Sequence, residues 1–273
     1  MLKDCWGDDM NEIIIAVIIV AGIGLIAGIG LAVASRLMSV PKDEKAEELL
    51  AVLPGANCGA CSFSGCAGYA AALATGKVRT NLCSVGGDAV AAEICRILGV
   101  EQTASVKRAA VVLCTGDCKA THPKADYVGI NTCRAAAQLY SGSGSCRFGC
   151  IGFGDCVAAC EYDALRVCDG VAVVNPNLCR ACGLCVTACP KKLITLTTLD
   201  PLPVVRCSNT DSGAATRKVC VNGCIGCRMC AKVCDSGAVS FDGGRAVIDK
   251  SKCVGCGKCI DACKVGCIIP VVR

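Results

Sequence analysis

Residues 179–190 read CRACGLCVTACP, and residues 253–264 read CVGCGKCIDACK. In both stretches the gaps between successive cysteines are two, two and three residues, and a third stretch with the same gaps begins at Cys224. A loop with two-residue gaps brings three thiolates to one [4Fe–4S] cluster, while the fourth cysteine ligates the other cluster of a pair. Structural zinc sites instead combine two short knuckles of two cysteines each. The spacing therefore favours iron–sulfur clusters over zinc.

The two stretches belong to a longer duplication whose copies are offset by 74 residues, with no insertion in either copy. The aligned cysteines are Cys146, Cys150, Cys156, Cys160, Cys179, Cys182, Cys185 and Cys189 in the first copy and Cys220, Cys224, Cys230, Cys234, Cys253, Cys256, Cys259 and Cys263 in the second. Short apolar stretches at 172–174 and 246–248 are typical of strands. The pattern predicts an α+β fold with two ferredoxin-like 2[4Fe–4S] modules.

One position departs from the pattern, since Phe153 stands where the second copy has Cys227. The first module therefore lacks one standard ligand. One account replaces it by Cys146, which gives a cluster held by Cys146, Cys150, Cys156 and Cys189. The other account uses Cys114, Cys118, Cys133 and Cys146 for an extra cluster. The first account is preferred, and the second leaves a damaged or three-iron site behind.

A further motif precedes the duplication, where Pro54-Gly55 leads into Cys58, Cys61 and Cys66, followed by Cys83. Four cysteines at these spacings can surround one more [4Fe–4S] cluster, and zinc is the alternative. A helix is expected from Asp88 to Leu98, with Cys95 buried on its apolar face rather than acting as a ligand.

The sequence thus predicts five [4Fe–4S] clusters and leaves a sixth open. The expected metal ligands are Cys58, Cys61, Cys66, Cys83, Cys146, Cys150, Cys156, Cys160, Cys179, Cys182, Cys185, Cys189, Cys224, Cys227, Cys230, Cys234, Cys253, Cys256, Cys259 and Cys263. The cysteines named for an extra cluster are Cys114, Cys118 and Cys133.

Composition agrees with a chain built around metal clusters. It has 29 cysteines in 273 residues but only 3% aromatic residues, which leaves little for conventional cores. Small domains of this kind depend on metals or disulfides. The net charge of +5 comes from interspersed acids and bases, so nucleic-acid binding has little support.

Residues 13–35 are an uncharged, apolar stretch of 23 residues, long enough to cross a bilayer as a helix. Acidic residues precede it and Arg36, Lys42 and Lys45 follow it, so the positive-inside rule places the rest of the chain in the cytoplasm, anchored to the inner membrane by a single pass. A cleaved signal peptide is the alternative, but an acidic leading segment disfavours it. Cytoplasmic thiols stay reduced, which argues against disulfides.

The sequence divides into five expected segments. They are an N-terminal flank at 1–12, a transmembrane helix at 13–35, a small α-rich [4Fe–4S] domain at 36–105, a first ferredoxin-like module with extra cysteines at 106–203 and a second module at 204–273. No nucleotide-binding loop and no acid, base or nucleophile constellation is present, so no catalytic residue is assigned. Many clusters without substrate chemistry indicate electron transfer.

Three motifs together resemble the B subunit of the Rnf complex, in its long form with two ferredoxin modules. They are PGANCGACSFSGC at 54–66 with Cys83, GCIGFGDC at 149–156 and GCIGCRMC at 223–230. The resemblance implies a membrane-bound ferredoxin:NAD oxidoreductase that couples electron flow to Na⁺ or H⁺ translocation. It further implies that this subunit accepts electrons from soluble reduced ferredoxin and passes them to the other membrane, flavin and iron–sulfur subunits. The sequence departs from the family pattern at Phe153, and proline follows only Cys189.

Two other interpretations stay open at this point. One is the iron–sulfur subunit of another membrane oxidoreductase, or of a system that keeps a redox-sensitive regulator reduced. The other is a zinc-binding membrane scaffold without a redox role.

Overall fold

A computed structural model describes residues 5–37, 43–102, 107–200 and 202–271. The chain divides into two units, one ending at Glu44 and one running from Lys45 onward. Helix α1 (Cys5–Leu37) dominates the first unit. Its segment Ile13–Ser35 has a mean hydropathy of 2.9 and is not buried. Among the described residues it is the one helix long and apolar enough to cross a membrane, in agreement with the span predicted from the sequence.

The N-terminal part of the second unit is helical. It consists of α2 (Glu44–Val52), α3 (Cys66–Ala74) and α4 (Gly87–Leu98). Leu49, Tyr69, Leu73 and Ile94 form its core and are almost fully buried. The helix predicted from Asp88 is confirmed as α4.

Each ferredoxin-like module contains two antiparallel sheets of two strands and several short helices. The first module has β1 (Arg108–Val112) paired with β4 (Ile194–Thr198), and β2 (Leu165–Cys168) paired with β3 (Val171–Val174). The second has β5 (Pro203–Val205) paired with β8 (Ile268–Pro270), and β6 (Val239–Asp242) paired with β7 (Arg245–Ile248). The short helices are α5 (Cys133–Gln138), α6 (Asp155–Ala158), α7 (Leu184–Ala188), α8 (Gly213–Val219), α9 (Met229–Lys232) and α10 (Lys258–Asp261).

The 74-residue offset of the sequence recurs in the backbone. The hairpin β2–β3 pairs Leu165 with Val174, and the hairpin β6–β7 pairs the residues 74 positions later. Gly152 and Gly226 occupy equivalent left-handed turns, with φ of 87° and 63°. A Cβ on either would lie 2.7 Å from the carbonyl oxygen of the facing hairpin turn, so both positions require glycine.

The offset fails at the first strand of each module. β1 and β5 both pair with the last strand of their own module, but β1 ends at Val112 and β5 at Val205, 93 residues later. The first module therefore has 19 extra residues between this strand and its cysteine motif. They form the segment that carries Cys118 and His122.

Candidate metal centres

The second module brings its ferredoxin-type cysteines into two groups of four. The Cys224 group consists of Cys224, Cys227, Cys230 and Cys263, and the Cys234 group consists of Cys234, Cys253, Cys256 and Cys259. Burial raises the pKa of Cys230 to about 11, and the other three thiols of its group lie close enough to act on it. The four thiols of the Cys234 group line one cavity. Each group takes one cysteine from the opposite half of the module, as the spacing predicts.

The first module forms an equivalent pair of groups. The Cys160 group consists of Cys160, Cys179, Cys182 and Cys185, which line one cavity between β1, α7 and the loop before β2. Burial raises the pKa of Cys185 to about 11, and Cys179, Cys182 and Cys160 add to the effect. This group has the composition that the sequence predicts.

The other group of the first module differs from the expectation. The structure places Cys133, rather than Cys146, beside Cys150, Cys156 and Cys189, and these four residues are called the Cys133 group. Burial raises the pKa of Cys156 to about 12, and the other three thiols contribute. The thiol that the structure places where the first module lacks a counterpart of Cys227 is therefore that of Cys133, and not that of Cys146 as expected.

Asp155 accounts for the position of Cys133. Its carboxylate accepts hydrogen bonds from the backbone N–H groups of Cys133 (2.7 Å) and Arg134 (2.9 Å) at the start of α5. This contact caps α5 and directs its first residue toward Cys156, one position after Asp155. The second module has Met229 instead of Asp155 and needs no such helix, because Cys227 supplies the thiol from the loop.

The four cysteines of the N-terminal motif are called the Cys58 group, and they are Cys58, Cys61, Cys66 and Cys83. Cys61, Cys66 and Cys83 pack around the core that contains Tyr69. The side chain of Asn57 accepts a hydrogen bond from the backbone N–H of Cys66 (2.8 Å), which closes the loop between Cys58 and α3. Gly65 has φ of 143° and a Cβ there would meet the Asn57 amide oxygen at 2.8 Å, so this loop also requires glycine.

The Cys58 group lies close to the first module. Burial raises the pKa of Cys182, and the thiol of Cys58 acts on it as well. Both thiols also act on Tyr162, whose pKa is raised mainly by burial. Cys182 is only 9% exposed, so this side of the Cys160 group is covered.

A further four thiols converge where the two modules meet. Cys114, Cys146, Cys207 and Cys220 line a single cavity, and together they are called the Cys114 group. The sequence expectation included Cys114 and Cys146 in an extra cluster but missed Cys207 and Cys220. It also included Cys118 and Cys133, yet Cys118 is exposed and Cys133 belongs to the group described above. A signal was present in the sequence, since Val-Val-x-Cys occurs at 111–114 and again at 204–207.

The chemistry of these groups fits iron–sulfur clusters. Backbone N–H groups donate hydrogen bonds to many of the sulfurs. The N···Sγ distances are 3.3 Å from Ala110 to Cys179, 3.4 Å from Leu193 to Cys189 and 3.4 Å from Ala246 to Cys224. Such donors stabilise thiolates and set the potential of a bound cluster. Within the described residues no three His, Cys, Asp or Glu side chains converge tightly enough to hold a single metal ion. The thiols instead surround cavities.

The remaining described cysteines lie outside these groups or at their edges. Cys95 is buried in α4 and donates to Thr80 Oγ1 at 3.2 Å, as a structural residue would. Cys168 is half-buried in β2. Cys267 is buried beside the Cys224 group, with its Sγ 3.6 Å from that of Cys263, and its hydrogen bond lowers the pKa of Cys224. His122 is exposed.

Three protein-family models match the chain. Residues 223–267 match "4Fe-4S dicluster domain", residues 172–195 match "4Fe-4S binding domain" and residues 53–85 match "Putative Fe-S cluster". The three ranges fall on the second module, on the motif Cys179–Cys189 of the first module and on the Cys58 group. The chain thus carries 4Fe-4S domains, in agreement with the prediction from spacing.

The chain is also similar to known proteins over most of its length. It is 40% identical over 260 residues to the B subunit of the Na(+)-translocating ferredoxin:NAD(+) oxidoreductase complex of Acetobacterium woodii, covering 95% of this chain and 78% of that protein. It is 38% identical over 245 residues to the B subunit of the ion-translocating oxidoreductase complex of Methanosarcina acetivorans, covering 89% and 93%. It is 35% identical over 244 residues to the B subunit of the proton-translocating ferredoxin:NAD(+) oxidoreductase complex of Clostridium ljungdahlii, covering 89% and 86%.

Proposed function

Because the chain belongs to the family of B subunits of ion-translocating ferredoxin:NAD oxidoreductase complexes, we propose that its thiol groups form a relay from soluble ferredoxin to the membrane subunits. The protein is an iron–sulfur electron-transfer subunit of such a complex, and other subunits of the complex are its partners. A bound [4Fe–4S] cluster supplies one-electron transfer. The protein supplies the ligands, their spacing and their surroundings.

Five thiol groups carry this proposal, each as the ligand set of one cluster. They are the Cys58, Cys133, Cys160, Cys224 and Cys234 groups defined above. The Cys133 and Cys160 groups share the first module, and the Cys224 and Cys234 groups share the second. The single observation that carries the relay is that the thiol of Cys58 lies close enough to that of Cys182 to act on its pKa, because this proximity joins the N-terminal group to the first module.

The relay is proposed to run from the second module toward the N-terminal group. Cys58 follows the apolar segment Ile13–Ser35 closely in sequence, so the Cys58 group is the one nearest to α1 along the chain. The cationic residues that follow this segment favour a cytoplasmic location for all the thiol groups. A soluble donor can reach them only from that side.

We assign the site of electron entry to the second module, for two reasons. Cys227 and Cys256 are exposed there, whereas Cys133 and Cys182, in the equivalent places of the first module, are 8% and 9% exposed. Residues 204–273 also carry eleven Lys or Arg and five Asp or Glu, the largest positive excess of any segment. This charge would steer the approach of an acidic donor protein. The exposed Val254 adds an apolar contact beside Cys256.

The test is reduction of the anaerobically purified full-length protein in detergent by substoichiometric reduced ferredoxin. We expect the visible absorbance of the clusters to bleach in proportion to the ferredoxin added, at a rate that falls as salt is raised. A protein that contains iron and sulfide but is reduced by dithionite and not by ferredoxin would contradict the assignment of the donor. A protein with zinc and no iron would contradict the relay.

A further inference from the structure

The Cys114 group lies between the two modules and takes two cysteines from each. Cys114 and Cys207 occupy equivalent places, since each stands two residues after the end of β1 or β5. Cys146 and Cys220 are equivalent as well, because they are related by the 74-residue offset. The four thiols are therefore two copies of one pair that meet across the interface of the duplicated modules.

We propose that Cys114, Cys146, Cys207 and Cys220 bind a sixth [4Fe–4S] cluster that connects the two modules. The proposal rests on the electron-transfer function proposed above and extends it. None of the four cysteines lies within the residue ranges that match the 4Fe-4S family models. The site also differs from the ferredoxin pattern, because no two of its ligands belong to one short loop.

The surroundings of the four thiols form a closed cradle. Cys114, Cys207 and Cys220 are less than 10% exposed. A Cβ built on Gly116 would lie 3.5 Å from the sulfurs of both Cys114 and Cys220, so any larger side chain at this position would extend between two ligands. Cys146 faces Asn209, which is 2% exposed and donates toward the Cys146 sulfur from 3.8 Å.

Hydrogen-bond donors and a cation compensate the charge that four thiolates would place there. The backbone N–H groups of Gly116 and Cys150 donate to Cys114 Sγ at 3.4 and 3.5 Å, and that of Cys224 donates to Cys207 Sγ at 3.3 Å. The Arg206 guanidinium lines the same cavity, next to Cys114. Buried negative charge requires partners of this kind.

Several contacts hold the two halves of the site together. Arg206 donates from Nε to the Val112 carbonyl (2.9 Å) and from Nη2 to the Cys114 carbonyl (3.1 Å). Asn222 donates to the Thr115 carbonyl at 3.0 Å, and Thr121 donates to the Val219 carbonyl at 2.7 Å. All of them cross from one module to the other beside the thiols, so they hold the four cysteines in place relative to each other.

The Cys114 group connects the cluster sites of the first module to those of the second. Cys150, whose N–H reaches Cys114 Sγ, is a member of the Cys133 group, and Cys224, whose N–H reaches Cys207 Sγ, is a member of the Cys224 group. A single peptide unit thus separates the Cys114 group from a cluster site on either side. The six groups then form one continuous series in the order Cys234, Cys224, Cys114, Cys133, Cys160 and Cys58.

The experiment compares Cys114→Ser and Cys207→Ser, one from each module, with Cys118→Ser as the matched control. Cys118 lies four residues after Cys114 but is exposed and belongs to none of the groups. All proteins are purified anaerobically as full chains, and iron, sulfide, zinc and the EPR spectrum of the reduced state are measured. We expect about 24 iron atoms per chain in the wild type and the control, and about 20 in each variant with one EPR component lost.

A Gly116→Val variant tests the site independently, in case the cysteine variants misfold. It keeps all the thiols, but its valine side chain would extend between the sulfurs of Cys114 and Cys220. It should also lose about four iron atoms per chain, while the EPR signals of the other clusters and the circular dichroism of the wild type persist. About 20 iron atoms in the wild type and in every variant would overturn the sixth cluster while leaving the proposed relay intact. If the wild type contained one zinc per chain and the cysteine variants lacked it, that result would also overturn the sixth cluster. Failure of the proposed function would instead appear as absence of iron or of reduction by ferredoxin.

Discussion

The two ferredoxin-like modules share their β-hairpins and two of their short helices but differ in how exposed their equivalent cysteines are. In the first module the thiols of Cys133 and Cys182 are buried, the former carried by α5 and the latter beside Cys58. In the second module Cys227 and Cys256 are exposed. The proposed relay assigns different tasks to the covered copy and to the open copy. The covered copy suits transfer within the protein, and the open copy suits exchange with a partner.

The largest effect in this comparison is expected from ligand replacement at the equivalent clusters. Cys133→Ser and Cys227→Ser should each lose or convert one cluster, with a loss of between about one and four iron atoms per chain. In the first module, Phe153→Cys should restore the iron content of Cys133→Ser, because it recreates the ligand that the second module has at this position. Iron analysis and EPR check the result. Full iron content in Cys133→Ser alone would mean that Cys133 is not a ligand.

A smaller effect is expected from charge reversal at the open module. Lys232→Glu combined with Lys264→Glu adds negative charge beside the Cys224 group, where both lysines are exposed. We expect the rate of reduction by ferredoxin to fall about tenfold at low salt, since like charges slow the encounter. Stopped-flow bleaching measures this rate.

The matched control for that experiment is Lys119→Glu combined with Lys192→Glu in the first module, where both lysines are likewise exposed. It makes the same change in net charge and should have a much smaller effect. Equal slowing by both pairs would show that the total charge matters and that the donor does not select the open module.

A subtler difference between the modules concerns Cys267, which occupies the place of the buried Leu193. Its hydrogen bond to the sulfurs of the Cys224 group should raise the potential of that cluster. Cys267→Leu should therefore lower one potential by about 40 mV, since a hydrogen bond contributes roughly 1 kcal/mol, without loss of iron. A redox titration followed by EPR checks the shift. Loss of four iron atoms would instead make Cys267 a ligand.

The smallest effect is expected at Cys95, which lies away from both modules. Cys95→Ser should leave iron content and potentials unchanged and alter the free energy of unfolding by about 1 kcal/mol, because a buried thiol is replaced by a hydroxyl that keeps its contact with Thr80. Iron analysis and thermal unfolding measure the two quantities. Loss of a cluster would show that Cys95 is a ligand.

Local spacing predicted the helix across residues 13–35, the 74-residue duplication and the composition of the Cys160, Cys224 and Cys234 groups. These features depend on residues within one motif or on two motifs in fixed register. Cys133 could not be assigned in this way, because its place depends on a carboxylate, Asp155, 22 residues later in the chain.

The Cys114 group was harder still to predict from the sequence, since its cysteines come from two modules and are separated by up to 106 residues. The 19-residue insertion after β1 also hides the equivalence of Cys114 and Cys207. A uniform offset aligns Cys207 with Cys133 instead. Only the pairing of β1 and β5 with the last strand of each module restores the correct correspondence.

The central claim is an unbroken series of six clusters through both modules to the N-terminal group. Iron and acid-labile sulfide per chain, measured on anaerobically purified full-length protein, test it most directly. We expect about 24 of each, which is four per cluster. About 20 iron and 20 sulfide per chain would mean that the cluster connecting the two modules is absent. Zinc in place of iron would contradict the account as a whole.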